Sequence, residues 1–201
     1  MSAQPETPLR SRGSDAADRK DLALDAAREA ILAVGWSRTT LTDIARRAGL
    51  SRMTLYRRWP EMNALLADLM TREWGSLVDL DQASTNHRER LVRGILGTIE
   101  ALRGNALFTR IIELDPEMLL PYLLDRRGRS QELVLDLLVG EIEAGQRAGE
   151  IRAGDPQLLA RSVLLAAHGF TLSAQTMTDD AVSTTAIDDE LRTLLDRYLQ
   201  P

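Results

Sequence analysis

The amino-acid sequence predicts an all-α fold. Apolar residues recur at three- and four-residue spacings through most of the chain, which is the pattern of a helix with one buried face. No segment alternates apolar and polar residues as a half-buried strand does, and no repeat or coiled-coil heptad competes. Apolar residues make up 44% of the 201 residues, enough to bury a core in one compact unit or in two small domains that share one.

The first helix is predicted over residues 18–34, and Gly35 closes it because glycine adopts a left-handed backbone without steric cost. The preceding residues 1–17 are rich in Ser, Pro, Gly and Ala and show no periodicity, so a flexible tail is predicted there. Arg10 and Arg12 could reach a DNA minor groove from such a tail, as basic arms do in some DNA-binding proteins. The alternative is a solvated tail without a partner.

Two short helices joined by a tight turn are predicted next. Thr40 followed three residues later by Asp43 is a capping-box-like helix start, and Gly49 ends that helix. Ser51 can cap the second helix, since its hydroxyl accepts from a free amide in the first turn, and Pro60 stops it. A helix, a glycine-containing turn and a second helix with polar outward residues form the helix-turn-helix that reads DNA.

The charge of this segment favours contact with DNA. The whole chain has a formal net charge of -5, but residues 36–58 hold six arginines and one acid, Asp43. A basic patch on an acidic protein is the electrostatic footprint of phosphate contact, although a solvated basic surface is the alternative. Arg52 is the predicted reader of guanine, because its planar fork matches the O6/N7 pair. The residues predicted to contact DNA are Thr40, Thr42, Arg46, Ser51, Arg52, Met53, Thr54, Tyr56 and Arg57.

Further residues around the motif are specific in combination. They are Ala26-Ala27, Ile31-Leu32, Gly35, Thr39-Thr40, Ile44-Ala45, Ala48-Gly49-Leu50-Ser51, Leu55-Tyr56, Trp59-Pro60 and Ala64-Leu65. With them, the stretch from about Arg19 to Leu69 resembles the TetR family of transcriptional regulators. The sequence departs from that family at two positions. Trp59 stands where phenylalanine is usual, and Met62 stands where the family often carries a phosphate-contacting lysine, for which Arg57 or Arg58 could substitute.

A helix from about Glu61 carries Leu65 and Leu69 on one face and should connect the DNA-reading unit to the rest of the chain. The predicted boundaries are therefore 18–77 for a helix-turn-helix DNA-binding domain with the start of this connecting helix, and 78–201 for a helical regulatory and dimerisation domain.

Helical spacing continues beyond residue 80. Helices are predicted around residues 91–102, 107–114 and 133–142. Glu113 and Asp115, at the end of the second of these, are interpreted as a solvated helix end rather than a cation site.

The resemblance implies a small-molecule effector, of a kind the sequence does not identify, held among the helices that follow the DNA-reading unit. Ordinary core packing is the alternative for each apolar candidate, and a core or interface histidine is the alternative for His168. The predicted pocket residues are Trp74, Leu102, Phe108, Ile112, Tyr122, Val134 and Leu138, with His168 and Gln175 as polar anchors.

The last two helices are predicted to form a homodimer. The helix opened by Asp155-Pro156 carries an apolar stripe and a line of small residues that lets another helix approach closely. Packing within one chain is the alternative, but the resemblance favours the dimer. Two reading helices held about 34–36 Å apart would read a palindrome. The predicted interface residues are Ser162, Val163, Ala166, Gly169, Phe170, Ser173, Leu191, Leu194, Leu195 and Tyr198.

Composition excludes several classes of function. The chain has no cysteine, and neither of its two histidines, His87 and His168, lies in a metal-binding spacing. A phosphate-binding glycine loop and a nucleophile elbow are also absent, so no catalytic residue, metal or cofactor is predicted, and no enzyme. No apolar run approaches the roughly 20 residues that cross a bilayer, and no secretory signal is present, so no membrane contact and a cytoplasmic location are expected.

The predicted function is a sequence-specific DNA-binding transcriptional regulator. Its most specific form is a ligand-responsive repressor that binds a double-stranded palindromic operator as a homodimer. The alternatives are a helical interaction module of the same fold, and an activator or a regulator without a ligand.

Overall fold

The computed structural model describes residues 12–78 and 84–201, which form ten α-helices and no strand, so the all-α prediction is confirmed. None of the described helices has the length and apolar character needed to cross a membrane. Short 3-10 turns cover Pro116–Met118 and Ala174–Met177. The helices are α1 (Arg12–Val34), α2 (Leu41–Arg47), α3 (Arg52–Arg58), α4 (Met62–Gly75), α5 (His87–Arg103), α6 (Ala106–Leu114), α7 (Leu120–Leu124), α8 (Arg129–Arg147), α9 (Pro156–Ser173) and α10 (Thr184–Leu199).

The first helix is longer than the sequence pattern predicts. It begins at Arg12 rather than near residue 18, so residues 12–17 are helical and do not belong to a tail. Ala16 and Ala17 have high helix propensity, and no glycine or proline lies between Gly13 and Gly35 to interrupt the helix. The rest of the predicted tail, with Arg10, lies outside the described residues.

The buried apolar side chains form two cores. The first core joins α1–α4 to α6, with Leu107, Phe108 and Ile111 of α6 packed among the side chains of the DNA-reading unit. The second core joins α5, α8, α9 and α10, with Ile142 and Leu195 among its fully buried members. The division between the cores therefore does not follow the predicted boundary at residues 77 and 78. Helix α6 comes after that boundary in the sequence, but its buried side chains pack with α1–α4, which come before it.

A buried carboxylate fastens the end of α6 to the loop between α1 and α2. Asp115 follows α6 and is 1% exposed. Its Oδ2 accepts the Trp36 N–H at 2.7 Å, and its Oδ1 accepts the Ser37 N–H at 3.1 Å as well as the Ser37 hydroxyl. Gly35, at φ +87°, allows this approach, since a Cβ there would lie 3.1 Å from Asp115 Oδ2.

The interpretation of Asp115 as part of a solvated helix end is wrong. The end of α6 faces the α1–α2 loop, whose backbone N–H groups need an acceptor once they are buried. Glu113 remains exposed, as expected.

Replacing Asp115 by alanine should lower the free energy of unfolding by about 2–4 kcal/mol, because two backbone donors lose a charged acceptor inside the protein. Urea denaturation followed by circular dichroism measures the change. Glu113→Ala removes an exposed carboxylate from the same helix and should change stability by no more than about 0.5 kcal/mol. Equal losses in the two variants would contradict the role assigned to Asp115.

Candidate nucleic-acid interface

The start of α2 and the turn after it have the geometry that the sequence predicts. Thr40 Oγ1 accepts the Asp43 N–H at 3.1 Å and donates to the Asp43 carboxylate at 2.6 Å. Gly49 has φ +65°, a backbone conformation that side chains with a Cβ rarely adopt. The following N–H, of Leu50, donates to the Ala45 carbonyl at 2.9 Å and closes the turn. The predicted cap and helix end are therefore confirmed.

The recognition helix α3 is capped at both ends. Ser51 Oγ accepts the Thr54 N–H at 3.1 Å, and the two hydroxyls lie 2.8 Å apart. At the other end, the Trp59 N–H donates to the Leu55 carbonyl at 2.8 Å. Leu55 and Trp59 are both buried in the first core, which fixes the inner face of this helix and turns the opposite face outward.

The nine predicted DNA-contact residues are distributed along α2, α3 and the residues that cap them. Thr42 and Thr54 are half-buried, and the other seven are exposed. Met53 is 78% exposed and Tyr56 46% exposed, which is unusual for large apolar and aromatic side chains. The outer face of α3 thus presents a cation, an apolar side chain and a phenol to the surroundings.

Most of the six arginines in residues 36–58 have no acidic partner among the described residues. Arg46 forms an ion pair with Asp43, at 3.2 Å. Within the described part of the chain, no carboxylate pairs with the other five: Arg38, Arg47, Arg52, Arg57 and Arg58. Elsewhere arginines are paired with acids, as in Arg28–Glu73, Arg90–Glu141 and Arg103–Asp188. The segment therefore has an uncompensated positive charge suited to a polyanion.

A cleft of about 350 Å³ lies between α1 and α3. Its lining contains Arg19 and Lys20 from α1, Arg57 and Arg58 from α3, and no acidic side chain. Lys20 lies 3.8 Å from a carboxylate oxygen of Asp68, which is not part of the lining. This cleft extends the positive surface from the recognition helix onto the first helix.

Residues 23–69 match the family described as bacterial regulatory proteins, tetR family. An uncharacterized HTH-type transcriptional regulator of Mycobacterium tuberculosis (strain ATCC 25618 / H37Rv) is 33% identical to this chain over 189 residues. The alignment covers 94% of this chain and 98% of that protein. The chain belongs to the TetR family. It is a DNA-binding transcriptional regulator and not an enzyme.

Solved structures of bacterial transcriptional regulators share the fold. The transcriptional repressor QsdR of R. erythropolis has a TM-score of 0.64 at 17% identity, over 91% of this chain and 96% of QsdR. The transcriptional regulator FadR of Bacillus subtilis, solved in complex with stearoyl-CoA, has a TM-score of 0.62 at 21% identity, over 90% of this chain and 99% of FadR. At these identities the likeness concerns the fold alone.

In this TetR-family chain, Met62 occupies the position where the family often carries a lysine, and its side chain does not project fully into solvent. It is half-buried and packs against the first core. The cleft beside the recognition helix is instead lined by cations from α3 itself and from the first helix, among them Arg57, Arg58 and Arg19.

The predicted effector-pocket residues are divided between the two cores and the surface. Trp74, Leu102 and Phe108 pack on the first core, where the Trp74 and Phe108 rings meet edge to face with centroids 5.7 Å apart. Val134 and Leu138 belong to the second core. These five predicted wall residues are therefore divided between the two cores, because α6 packs with α1–α4 whereas Val134 and Leu138 of α8 pack in the second core.

The remaining pocket candidates do not line an enclosed space together. The predicted wall residue Ile112 and the predicted polar anchor Gln175 are both exposed, so neither lines an enclosed space in the folded chain. Tyr122 is half-buried beneath the Arg126 guanidinium, 5.5 Å from its ring centroid. His168 is half-buried on α9, and desolvation by this burial lowers its pKa from the usual 6.5.

Three of the predicted dimer contacts lie inside the protomer. Val163, Leu191 and Leu195 are buried in the second core, so the prediction that they face a partner is wrong. Their spacing marks the buried side of each helix and not the outer side. Ala166, Phe170 and Tyr198 are partly buried and pack against the same core.

The outer side of α9 carries residues that the sequence reading missed. Leu158 is 61% and Leu165 is 71% exposed, and they alternate along one face with Ser162 and Gly169. Leu194 on α10 is 49% exposed. The seven-residue spacing of the two leucines, interleaved with the small residues, was the available signal for this face.

Proposed function

We propose that this TetR-family regulator is a repressor that binds a palindromic operator as a homodimer and releases it when a small molecule binds. The observation that carries the proposal is the row of arginines on a capped helix-turn-helix, Arg47, Arg52, Arg57 and Arg58, with which no carboxylate of residues 12–78 and 84–201 forms an ion pair. A protein that acts on bacterial chromosomal DNA works in the cytoplasm, which is the location we propose.

Base reading is assigned to the first two residues of α3, and phosphate contact to two residues one turn later. N-terminal residues of a recognition helix contact base edges in the major groove. Arg52 opens α3, is exposed and can form a bidentate contact with guanine, while Met53 can pack on a thymine methyl group. Tyr56 and Arg57 follow on the same outer side, where a phenol and a guanidinium can donate to phosphates.

Phosphate contacts are assigned to the remaining predicted residues, Thr42, Arg46, Ser51 and Thr54. The Ser51 and Thr54 hydroxyls share one hydrogen bond, so one of the two protons is left to donate to a phosphate. Thr40 is the weakest of the nine proposed contacts, because its hydroxyl already donates to Asp43.

The cleft between α1 and α3 is the proposed site for a further backbone phosphate. It supplies the positive charge that Met62 lacks, and Arg58 is held over the Trp59 ring with its guanidinium carbon 5.3 Å from the centroid. A contact of this kind carries no sequence information and depends strongly on salt.

Dimerisation through the outer sides of α9 and α10 explains their exposed leucines. Leu158, Leu165 and Leu194 would be buried against the same residues of a second copy, as two-fold symmetry requires. Ser162 and Gly169 allow close approach, since a Cβ at Gly169 would meet nothing within 4 Å of its own chain. Two copies would present two recognition helices to one palindrome.

The effector is proposed to bind beside Trp74, Leu102 and Phe108, on the side of the first core that α6 covers. The Trp74 indole N–H is buried and has no hydrogen-bond acceptor in the described part of the chain, so an acceptor on a ligand would satisfy it. FadR was solved with stearoyl-CoA, which makes acyl chains the first class to test. Release requires that the ligand bind the DNA-incompetent shape more tightly.

Selection of genomic fragments by the purified protein, followed by sequencing, tests the proposal. A recurring palindrome next to a small set of genes is the expected result. Failure to retain any double-stranded fragment at low ionic strength would contradict DNA binding and favour an interaction module of the same fold. Transcription from the selected promoter, measured with and without the protein, then separates a repressor from an activator.

Arg52→Ala should weaken binding to the selected operator by about 5- to 150-fold, the value of a good bidentate base contact. Binding to random duplex of the same length should fall far less. Fluorescence anisotropy at one fixed salt concentration measures both. Arg147→Ala, which removes an exposed arginine at the end of α8, is the control for lost charge. Equal loss on both duplexes would reduce Arg52 to a phosphate contact.

Arg58→Gln should weaken binding to operator and random duplex by the same factor. The slope of log K against log salt should become shallower by about 1, because one fewer counterion is released. Titrations from low to moderate salt give the slope, with Arg147→Gln as the matched charge control. An unchanged slope would remove Arg58 from the phosphate contacts.

Leu165→Glu should convert the dimer to a monomer, because it places two charges at the centre of an apolar two-fold contact. Sedimentation velocity measures the mass, and operator affinity should fall with it. Leu124→Glu, which changes an equally exposed leucine on α7, should leave the mass of a dimer unchanged. A dimeric Leu165→Glu would place the interface elsewhere.

A further inference from the structure

One carboxylate on α4 connects the end of the recognition helix to the start of α8. Asp68 Oδ2 accepts the Trp59 indole N–H at 3.1 Å, and Asp68 Oδ1 accepts from Arg129 Nη1 at 2.7 Å. We propose that Arg129, Asp68 and Trp59 form a link that sets the position of α3 according to the position of α8, given the proposed function in which α3 reads DNA. The three residues are called the α8–α3 link below.

The link spans the two cores. Asp68 and Trp59 belong to elements of the first core, whereas Arg129 opens α8, which packs in the second. Among the ion pairs of the described residues, Arg129–Asp68 is the one that joins α1–α4 to α5 or to α8–α10. A shift of α8 against α4 therefore acts on this carboxylate directly.

Trp59 is placed to pass such a shift to the DNA-reading surface. Its side chain is buried, and its backbone N–H ends α3 by donating to Leu55. The Arg58 guanidinium lies over its ring. Because the indole N–H is buried, losing its acceptor is unfavourable, so the ring follows Asp68 or leaves a donor unsatisfied. Movement of the ring displaces the last turn of α3 and Arg58, and the cost of an unsatisfied buried donor favours that movement over a ring that stays in place.

The other end of the link is held by the start of α8. The Gly128 N–H donates to Gln131 Oε1 at 2.7 Å, and Gln131 Nε2 donates to the Tyr122 carbonyl at 3.1 Å. The backbone of Arg129 is therefore fixed to α7 and α8. Its side chain is 69% exposed, so the pair adds little stability, and its contribution is to position Asp68. Asp68 Oδ1 accepts from Arg129, while Oδ2 accepts from Trp59 and lies 3.8 Å from Lys20 Nζ on α1, so a rotation of Asp68 toward Arg129 draws Oδ2 away from Trp59.

The indole N–H signals of the full chain test the link without any DNA. The chain has three tryptophans, at 36, 59 and 74, and Trp59→Phe identifies the Trp59 signal in a tryptophan-labelled ¹H–¹⁵N spectrum by its loss. Arg129→Gln should shift that signal and raise its hydrogen exchange rate by about three- to tenfold, while the Trp36 and Trp74 signals stay in place.

Arg127→Gln is the matched control. It removes the same charge two residues earlier, from an arginine that pairs with Glu132 on α8 at 3.0 Å and not with α4. The Trp59 signal should not move in this variant. A Trp59 signal that is unaffected by Arg129→Gln, or equally affected by both variants, would overturn the link.

Affinity for DNA tests whether the link reaches α3. The probe is a genomic fragment selected by the wild-type protein, bound by wild type, Trp59→Phe, Arg129→Gln and the double variant. Each single change should weaken binding by about three- to tenfold, and the double variant should be no weaker than the weaker single, because both break one link. Losses that multiply would overturn the coupling. If the wild type selects no DNA, the proposed function fails, and the indole signals still decide whether the link exists.

Discussion

The first core, which α6 shares with the three helices of the DNA-reading unit and with α4, is the constraint on which the rest of the structure depends. Leu107 and Ile111 are fully buried there, and Asp115 satisfies backbone donors of the α1–α2 loop. Helix α6 comes after the connecting helix α4 in the sequence, yet it is packed against the DNA-reading unit and, through Asp115, hydrogen-bonded to it. Any displacement of α6 must either move the unit as a whole or break a buried, charge-assisted hydrogen bond, which is costly.

This arrangement separates the roles of the two cores. The first core fixes the inner faces of α2 and α3, so that arginines without acidic partners can point outward without weakening the packing behind them. The second core presents the outer sides of α9 and α10, whose exposed leucines suit a second copy of the chain. The proposed coupling between ligand binding and DNA binding acts through contacts between the two cores. The Arg129–Asp68 pair is one of these contacts.

The reading unit could be predicted from the sequence because its determinants are local. Thr40, Gly49 and Ser51 act on backbone groups within a few residues, so their types and spacing specify the caps and the turn. The side of α9 that faces outward, the burial of Asp115 and the division of the pocket residues could not be predicted, because each depends on how distant helices pack. Trp59 was visible only as a departure from the resembled family, and its acceptor, Asp68, is identified only in the folded chain.

Native-state hydrogen exchange in rising denaturant tests the central claim, that α6 and the DNA-reading unit form one cooperative body. The amide of Ile111 on α6 should lose protection along the same free-energy curve as those of Leu24 and Ile31 on α1, because one core holds all three residues. Exchange of the α6 amides together with those of α8 and α10, and apart from α1, would contradict it.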